Sequence, residues 1–230
     1  MKVIAVLNQK GGSGKTTIAT NLAAYLAGKH QRVVVLDMDR QRSAARWLAR
    51  RPRGFPEVRG ALGSARDWAA VREDHPLAVV GIDRPTIDRD LKQIARKDFV
   101  VIDGAPQAAE LAVSAIKAAD FVLIPVQPSP YDIWAAADLV DLVKQRIEVT
   151  DGRLQAAFVV SRAIKGTRIG SEVSEALAGY GLPVLESRIT QRVSYPGTAA
   201  AGLTVMESEP DGDAAAEIHA LANEIKHKLI

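Results

Sequence analysis

Cysteine is absent from all 230 residues of the sequence, which excludes disulfides, thiolate metal sites, iron–sulfur clusters and cysteine nucleophiles. Aromatic residues make up only 5% of the chain, which argues against the stacking surfaces of proteins that bind single-stranded nucleic acids. No apolar run approaches the roughly 18 residues of a membrane span, and the first residues lack the pattern of a secretory leader. We therefore expect a soluble, cytoplasmic protein.

Hydrophobic residues make up 47% of the chain, which is enough for one well-buried core, so we expect a single domain over residues 1–230. The formal net charge is only +3, but the positive charge is unevenly distributed. Residues 40–53 hold six arginines and no acidic residue. That cluster of positive charge requires an explanation.

Short, nearly continuous apolar runs alternate with segments of helical periodicity. Ile18, Leu22 and Leu26 share one face of the first such segment. Runs of this length predict strands that are covered on both faces. The pattern predicts an α/β fold with a doubly wound, mostly parallel sheet, helices on both faces and ligands at the carboxyl ends of the strands. The runs are residues 3–7, 33–36, 78–82, 99–102, 121–126 and 156–160.

A glycine-rich loop separates the first predicted strand from the first predicted helix. Residues 10–17, the phosphate loop, read KGGSGKTT. Backbone amides of such a loop, together with the start of a helix, form a cradle for phosphates. The general pattern G-x-x-x-x-G-K-[ST] is met at Gly14, Lys15 and Thr16, but Gln9 stands where its first glycine belongs. The alternative, a glycine-rich turn with incidental lysines, does not explain this placement between a strand and a helix.

The loop resembles the deviant Walker A box, K-G-G-x-G-K-[ST], of the ParA/MinD group of ATPases, and is most similar to that of short, ParF-like partition ATPases. The resemblance implies a P-loop NTPase fold that binds ATP and Mg²⁺. Lys15 is expected to reach the β- and γ-phosphates, and Thr16 to ligate Mg²⁺. Lys10 is expected to act in trans, on the nucleotide of a partner subunit. The nucleotide-binding residues are then Lys10, Gly11, Gly12, Ser13, Gly14, Lys15, Thr16 and Thr17.

Aspartates follow two of the predicted strands. Asp103 resembles the Walker B aspartate, and Asp37 and Asp39 resemble the switch I box D-x-D-P-Q. The resemblance implies that Asp39 positions the attacking water, while Asp37 and Asp103 join Thr16 in holding the metal. Taken alone, a strand-end aspartate is more often a turn or helix cap. Arg40 replaces the usual proline, and because no cis arginine finger is evident we expect slow hydrolysis that a partner stimulates.

Positive side chains suggest contacts with the base and with DNA. The resemblance places Arg162, at a strand end, where relatives contact adenine; the alternative is a surface arginine. Residues 189–192 take the corresponding place one strand later. Arginines at 42, 46 and 50 would line one stripe of a helix, which could follow DNA phosphates or be a solvated face. The resemblance implies non-specific, ATP-dependent, salt-sensitive DNA binding on the nucleoid. The DNA-binding candidates are Arg42, Arg46, Arg50, Lys165, Arg168, Arg188 and Arg192.

We therefore expect an ATPase that dimerises with ATP, binds DNA, positions or segregates a cargo and answers to a partner protein on that cargo. The chain starts directly with the first strand, so we expect no helix-turn-helix domain ahead of it. A MinD-like membrane ATPase is the main alternative, because the last helix carries an apolar stripe at 218, 221, 225 and 229. Packing against the sheet would explain the same stripe, and we expect no membrane binding. A metabolic ligase is a further alternative, without an evident substrate pocket.

Overall fold

A computed structural model of the chain describes residues 1–38, 77–82, 84–94, 96–164, 169–200 and 203–229. Within these residues seven strands form one parallel sheet, so the predicted α/β architecture is confirmed. Six of the strands coincide with the apolar runs of the sequence. The strands are β1 (Lys2–Val6), β2 (Val33–Asp37), β3 (Leu77–Gly81), β4 (Phe99–Asp103), β5 (Phe121–Val126), β6 (Gln155–Ala163) and β7 (Val184–Thr190).

The strand order, β3-β2-β4-β1-β5-β6-β7, puts β1 at the centre of the sheet. β1 lies between β4 and β5, and every neighbouring pair is parallel. In a parallel sheet all strands end at the same edge, so the loops that follow them meet there. The phosphate loop follows the central strand, so the segments that follow β4 and β5 lie on either side of it.

Helices cover both faces of the sheet. α1 begins directly after the phosphate loop, and the last helix, α9, packs on α1 and β7. The opposite face is covered by α3 and α5, whose Leu111, Leu139 and Val143 are buried in the core. The helices are α1 (Lys15–Gly28), α2 (Ile87–Asp90), α3 (Ala109–Ala118), α4 (Pro130–Trp134), α5 (Ala137–Val149), α6 (Ile169–Ala178), α7 (Ser194–Ala200), α8 (Val205–Ser208) and α9 (Asp213–Leu229).

The apolar stripe of α9 belongs to the core. Ile218, Leu221 and Ile225 are all at most 1% exposed, and Leu229 packs partly buried against the same cluster. Ile18 and Leu22 of α1 lie in that cluster too. Burial against the sheet therefore accounts for the periodicity that had also suggested a membrane anchor.

Candidate phosphate-binding site

The phosphate loop has the backbone of an anion cradle. Gly12 and Gly14 adopt positive φ angles of 77° and 92°, a region in which a β-carbon is strained. Gly14 is the N-cap of α1, makes no side-chain cap hydrogen bond, and is followed by a first turn without acidic residues. The amides of that turn therefore meet no negative side chain of their own helix. A helix start of this kind favours a bound phosphate.

Lys15 folds back over the phosphate loop. Its side chain is buried, and its Nζ donates to the carbonyl oxygen of Lys10 at 2.9 Å, with Ser13 Oγ at 3.5 Å. Ser161 Oγ, at the end of β6, donates to the carbonyl oxygen of Ser13 at 2.8 Å. The loop is thus held in shape by its own lysine and by a neighbouring strand. Thr16 and Thr17, half-buried, follow in the first turn of α1.

Asp37 and Asp103 lie side by side at the same edge of the sheet. They are partners in the register of β2 and β4, and Asp103 is also the partner of Val6, the last residue of β1. Their exposed fractions are 1% and 0%. The structure thus brings together the two described carboxylates that the sequence had singled out, next to the strand that leads into the phosphate loop.

The donor set at this edge fits Mg²⁺. Among the described residues, no group of three acidic, histidine or cysteine side chains forms a ready-made metal cage. Magnesium is commonly held by one or two carboxylates together with phosphate oxygens and water, so it does not need such a cage. Asp37, Asp103 and the hydroxyl of Thr16 can supply the protein ligands. Asp39, the predicted water-positioning residue, lies outside the described residues.

Lys10 contacts a residue that the sequence did not indicate. Its Nζ lies 2.6 Å from Asp132 Oδ2, at the start of α4. The Asp132 side chain is 4% exposed and that of Lys10 is 37% exposed. The two residues are 122 positions apart, and no local motif marks Asp132. In this structure the Lys10 side chain therefore contacts a residue of its own subunit.

A cavity of about 250 Å³ opens beside the phosphate loop. Ser161 and Arg162 form one wall, at a β-bulge where Arg162 has a φ of 52°. Such a bulge lets Ser161 face the loop while Arg162 stays exposed. Arg162 therefore lies beside the loop, and its contact with the base stays a prediction. The rest of the lining is Gly14, Thr17, Ile18, Ile189, Thr190, Gln191, Arg192, Tyr195, Pro196 and Ala199. A larger cavity, of about 360 Å³, lies at the far end of α1, away from the loop.

Arg192 lines the cavity beside the phosphate loop and forms ion pairs with two acidic residues of the last helix. Its guanidinium donates to Glu217 Oε1 from Nη2 at 2.7 Å and from Nε at 3.0 Å, and Nη2 lies 3.1 Å from Asp213 Oδ2. These hydrogen bonds to Glu217 raise the pKa of Arg192. Burial, with the negative charge of Glu217, raises the pKa of the neighbouring Tyr195 well above its usual range. No motif in the sequence indicates Glu217, which lies within the last helix.

The remaining DNA-binding candidates are placed only in part. Arg188 is exposed on β7, the strand at one edge of the sheet. Arg42, Arg46, Arg50, Lys165 and Arg168 lie outside the described residues. Within the ranges that the structure describes, none of the helices combines the length and the apolar character needed to cross a membrane.

Comparison with known proteins agrees with this geometry. Residues 4–205 match the family described as the CobQ/CobB/MinD/ParA nucleotide binding domain. The chain is 30% identical over 226 residues to the maintenance of carboxysome distribution protein A of Halothiobacillus neapolitanus, covering 96% of this chain and 95% of that protein. It is 29% identical over 238 residues to the chromosome-partitioning ATPase Soj of Thermus thermophilus, covering 98% of this chain and 96% of that protein.

A solved structure shares the fold. An ATP complex of McdA from Cyanothece superposes with a TM-score of 0.77 at 16% identity, over 98% of this chain and 96% of that one. At that identity the likeness concerns the fold alone. The family match, in contrast, spans the phosphate loop, both carboxylates and the cavity. The resemblance read from the phosphate loop is thereby confirmed, and the chain belongs to the CobQ/CobB/MinD/ParA nucleotide-binding family.

Proposed function

We propose that the protein is an ATP-dependent dimerising switch ATPase, which binds DNA without sequence preference and positions or partitions a cargo. The observation that carries the proposal is the convergence of the phosphate loop with Asp37 and Asp103 at one edge of the sheet. The curated relatives that it matches over nearly their full length are named for carboxysome distribution and chromosome partitioning. Both names describe the placement of a large object in the cell.

The residues of the site divide the work of binding ATP and Mg²⁺. Amides of residues 11–17 and the Lys15 ammonium would hold the phosphates, and Thr16, Asp37 and Asp103 would hold the metal. Bound Mg²⁺ would supply positive charge against the terminal phosphates. Asp39 would orient the attacking water. The cavity beside Arg162 would receive the base, and Arg192 would shape its wall rather than face DNA.

The switch would be electrostatic. Lys10 of each subunit would reach the nucleotide of the other, so a triphosphate would join two copies of the chain. Loss of the γ-phosphate would remove the group that Lys10 neutralises and favour separate subunits. The dimer would present the exposed Arg188 and the arginines of residues 40–53 twice to one duplex on the nucleoid. A partner protein carried on the cargo would stimulate hydrolysis.

The test is DNA retention by the purified protein with ATP, with a non-hydrolysable ATP analogue and with ADP. We expect retention with ATP and the analogue, little with ADP, and a steep loss as salt rises because bound phosphates release counterions. Equal retention with ADP and ATP would contradict the proposal. The Lys15→Ala variant is the negative control. Unstimulated hydrolysis should be slower than about 1 s⁻¹, below the range of dedicated enzymes.

The same preparation separates DNA binding from membrane binding. Because the stripe of α9 is buried in the core, we expect no flotation with vesicles of anionic phospholipid in the presence of ATP. Flotation that depends on ATP, with no retention of DNA, would favour a membrane-associated positioning ATPase instead.

A further inference from the structure

Two side chains from neighbouring strands hold backbone carbonyl groups of the phosphate loop. Gln127, directly after β5, donates from Nε2 to the Gly12 carbonyl oxygen at 2.9 Å. Ser161, near the end of β6, donates from Oγ to the Ser13 carbonyl oxygen at 2.8 Å. The donors lie 115 and 148 residues from their acceptors, and they meet because β5 and β6 follow β1 in the strand order. We call Gln127 and Ser161 the carbonyl supports.

The carbonyl supports fix the orientation of two backbone N–H groups. In a trans peptide unit the C=O and the N–H point in opposite directions. The Ser13 N–H therefore points away from Gln127, and the Gly14 N–H points away from Ser161. Within the part of the chain that the structure describes, neither N–H has an acceptor in the protein. Both donors are thus held in one direction and remain available to an anion.

These two peptide units would turn easily without the supports, because each adjoins a glycine. Rotation of the unit between Gly12 and Ser13 changes the ψ angle of Gly12, and rotation of the next unit changes the φ angle of Gly14. Glycine accepts most backbone angles at little cost. The glycines that the loop needs for its positive φ angles therefore also leave its amides free to turn away. Side chains that remove this freedom in advance lower the entropic cost of binding.

The two supports differ in their exposure to water. Ser161 and Ser13 are 1% and 0% exposed, so water does not compete for their hydrogen bond. The bond between Gln127 and Gly12 lies at the surface. A hydrogen bond shielded from water contributes more than one that water can replace. We therefore expect loss of Ser161 to have the larger effect.

We propose that Gln127 and Ser161 are positioning residues, which orient the N–H groups of Ser13 and Gly14 toward the phosphates of the nucleotide. The inference rests on the proposed binding of ATP through the amides of the phosphate loop. Neither support has to touch the nucleotide, since each acts through one peptide unit. Removal of a support lowers the affinity for phosphates while the fold and the sequence of the loop stay unchanged.

The experiment measures displacement of a fluorescent ATP analogue by ADP and by pyrophosphate, each with Mg²⁺. Pyrophosphate has no base, which matters because Ser161 also lines the cavity proposed for the base. We expect the Ser161→Ala variant to raise the Kd of both competitors about tenfold. The Gln127→Ala variant should raise both by a smaller factor. Ser161→Thr keeps the hydroxyl and should retain most of the affinity.

Two control variants remove hydrogen bonds of the same kinds elsewhere in the chain. Ser114→Ala removes a buried hydroxyl, which accepts from the Ile87 N–H at 3.1 Å. Gln155→Ala removes a glutamine that donates from Nε2 to the Gly152 carbonyl oxygen at 2.8 Å, where β6 begins. Both controls should bind the two competitors as the wild type does. Urea unfolding should show similar losses of stability for Ser161→Ala and Ser114→Ala, so that destabilisation alone does not explain a loss of affinity.

The possible results separate the supports from the proposed function. If the wild type binds ADP but Ser161→Ala and Gln127→Ala bind it equally well, the proposal for the supports is wrong while the proposed function stands. If Ser161→Ala loses affinity for ADP but not for pyrophosphate, Ser161 acts on the base and its positioning role is wrong. If neither ADP nor pyrophosphate displaces the analogue from the wild type, the phosphate loop does not hold phosphates, and the proposed function fails together with the supports.

Discussion

Two glycines near the phosphate loop are required for different physical reasons. Gly14 is required for its backbone angle, since a φ of 92° strains any residue with a β-carbon. Gly104, directly after Asp103, is required for its size. A β-carbon there would lie 2.7 Å from Leu7 Cδ2 and 2.8 Å from the Val6 carbonyl oxygen. The glycine thus lets the chain after β4 pass close to the end of β1.

The Gly104→Ala variant should be less stable than the wild type by about 1–3 kcal/mol, because the added methyl must push β4 away from β1. Urea unfolding measures the change. Gly28→Ala is the control: it lies at the end of α1 with nothing within 4 Å of the added carbon, so it should be neutral or slightly stabilising. Equal losses in the two variants would contradict the steric explanation.

Arg32 and Asp98 form an ion pair where β2 and β4 begin, at the end of the strands away from the phosphate loop. Asp98 Oδ1 accepts from the guanidinium of Arg32 at 2.9 Å, and Oδ2 accepts from its backbone N–H at 2.8 Å. The side-chain hydrogen bond from Arg32, with that from its backbone, lowers the pKa of Asp98 to about 2. A carboxyl group whose pKa is lower in the folded state than in the unfolded state stabilises the protein at pH values above its unfolded pKa. That stabilisation is lost as the pH falls through the pKa of the folded state.

The Arg32→Gln variant should therefore be less stable than the wild type at neutral pH, and the difference should shrink between about pH 4 and pH 2. We expect about 1 kcal/mol at pH 7, a modest value because a third of the Asp98 side chain is exposed to solvent. Unfolding by urea at several pH values measures it. Arg89→Gln, on the exposed side of α2, is the control. A difference that persists unchanged at pH 2 would argue against the pair.

The last helix, α9, packs along β7 and covers that outer strand of the sheet. Glu217 accepts hydrogen bonds from the backbone and hydroxyl of Thr190, at 3.1 and 2.6 Å. Glu224 accepts from the backbone N–H groups of Glu186 and Ser187, at 2.9 and 3.0 Å. The two glutamates are seven residues, or two turns, apart on one face of the helix. Unpaired backbone N–H groups of an edge strand can pair with other chains. The two glutamates of α9 accept hydrogen bonds from three backbone N–H groups and one hydroxyl of β7, so these groups are not available for such pairing.

The glutamates of α9 should differ in function because only Glu217 also holds the cavity residues Arg192 and Tyr195. We expect Glu217→Gln to lower stability by about 1–3 kcal/mol and to weaken binding of a fluorescent ATP analogue. Glu224→Gln, the matched control, should lower stability without a comparable loss of nucleotide affinity. If both variants lost affinity equally, the cavity would not depend on Glu217.

The elements that the sequence predicted are those with a strong local pattern. Strands with continuous apolar runs were found, because burial on both faces leaves a clear signal. β7 was not among those runs, since only Leu185 and Ile189 of its seven residues are buried. The stripe of α9 stayed ambiguous because periodicity reveals an apolar face but not what covers it. Asp132 and Glu217 were missed since their partners are 122 and 25 residues away.

Variants of the two lysines of the phosphate loop should separate nucleotide binding from dimerisation of the protein. Lys15→Ala should abolish nucleotide binding, because it removes the positive charge that the proposed site directs at the phosphates. Lys10→Ala should bind the ATP analogue about as well as the wild type but stay monomeric by sedimentation. A Lys10→Ala protein that still dimerised with the analogue would exclude the proposed in-trans contact.

The strictly parallel sheet gives the molecule two unlike rims. Phosphate loop, carboxylates and cavity gather where the strands end, whereas the Arg32 and Asp98 pair lies where they begin. Arg153 is exposed just before β6 starts, on the rim away from the phosphate loop. Since the chain has no cysteine, Arg153→Cys would create a unique thiol there. Probes or surface tethers could then be attached while the nucleotide rim stays open to solution.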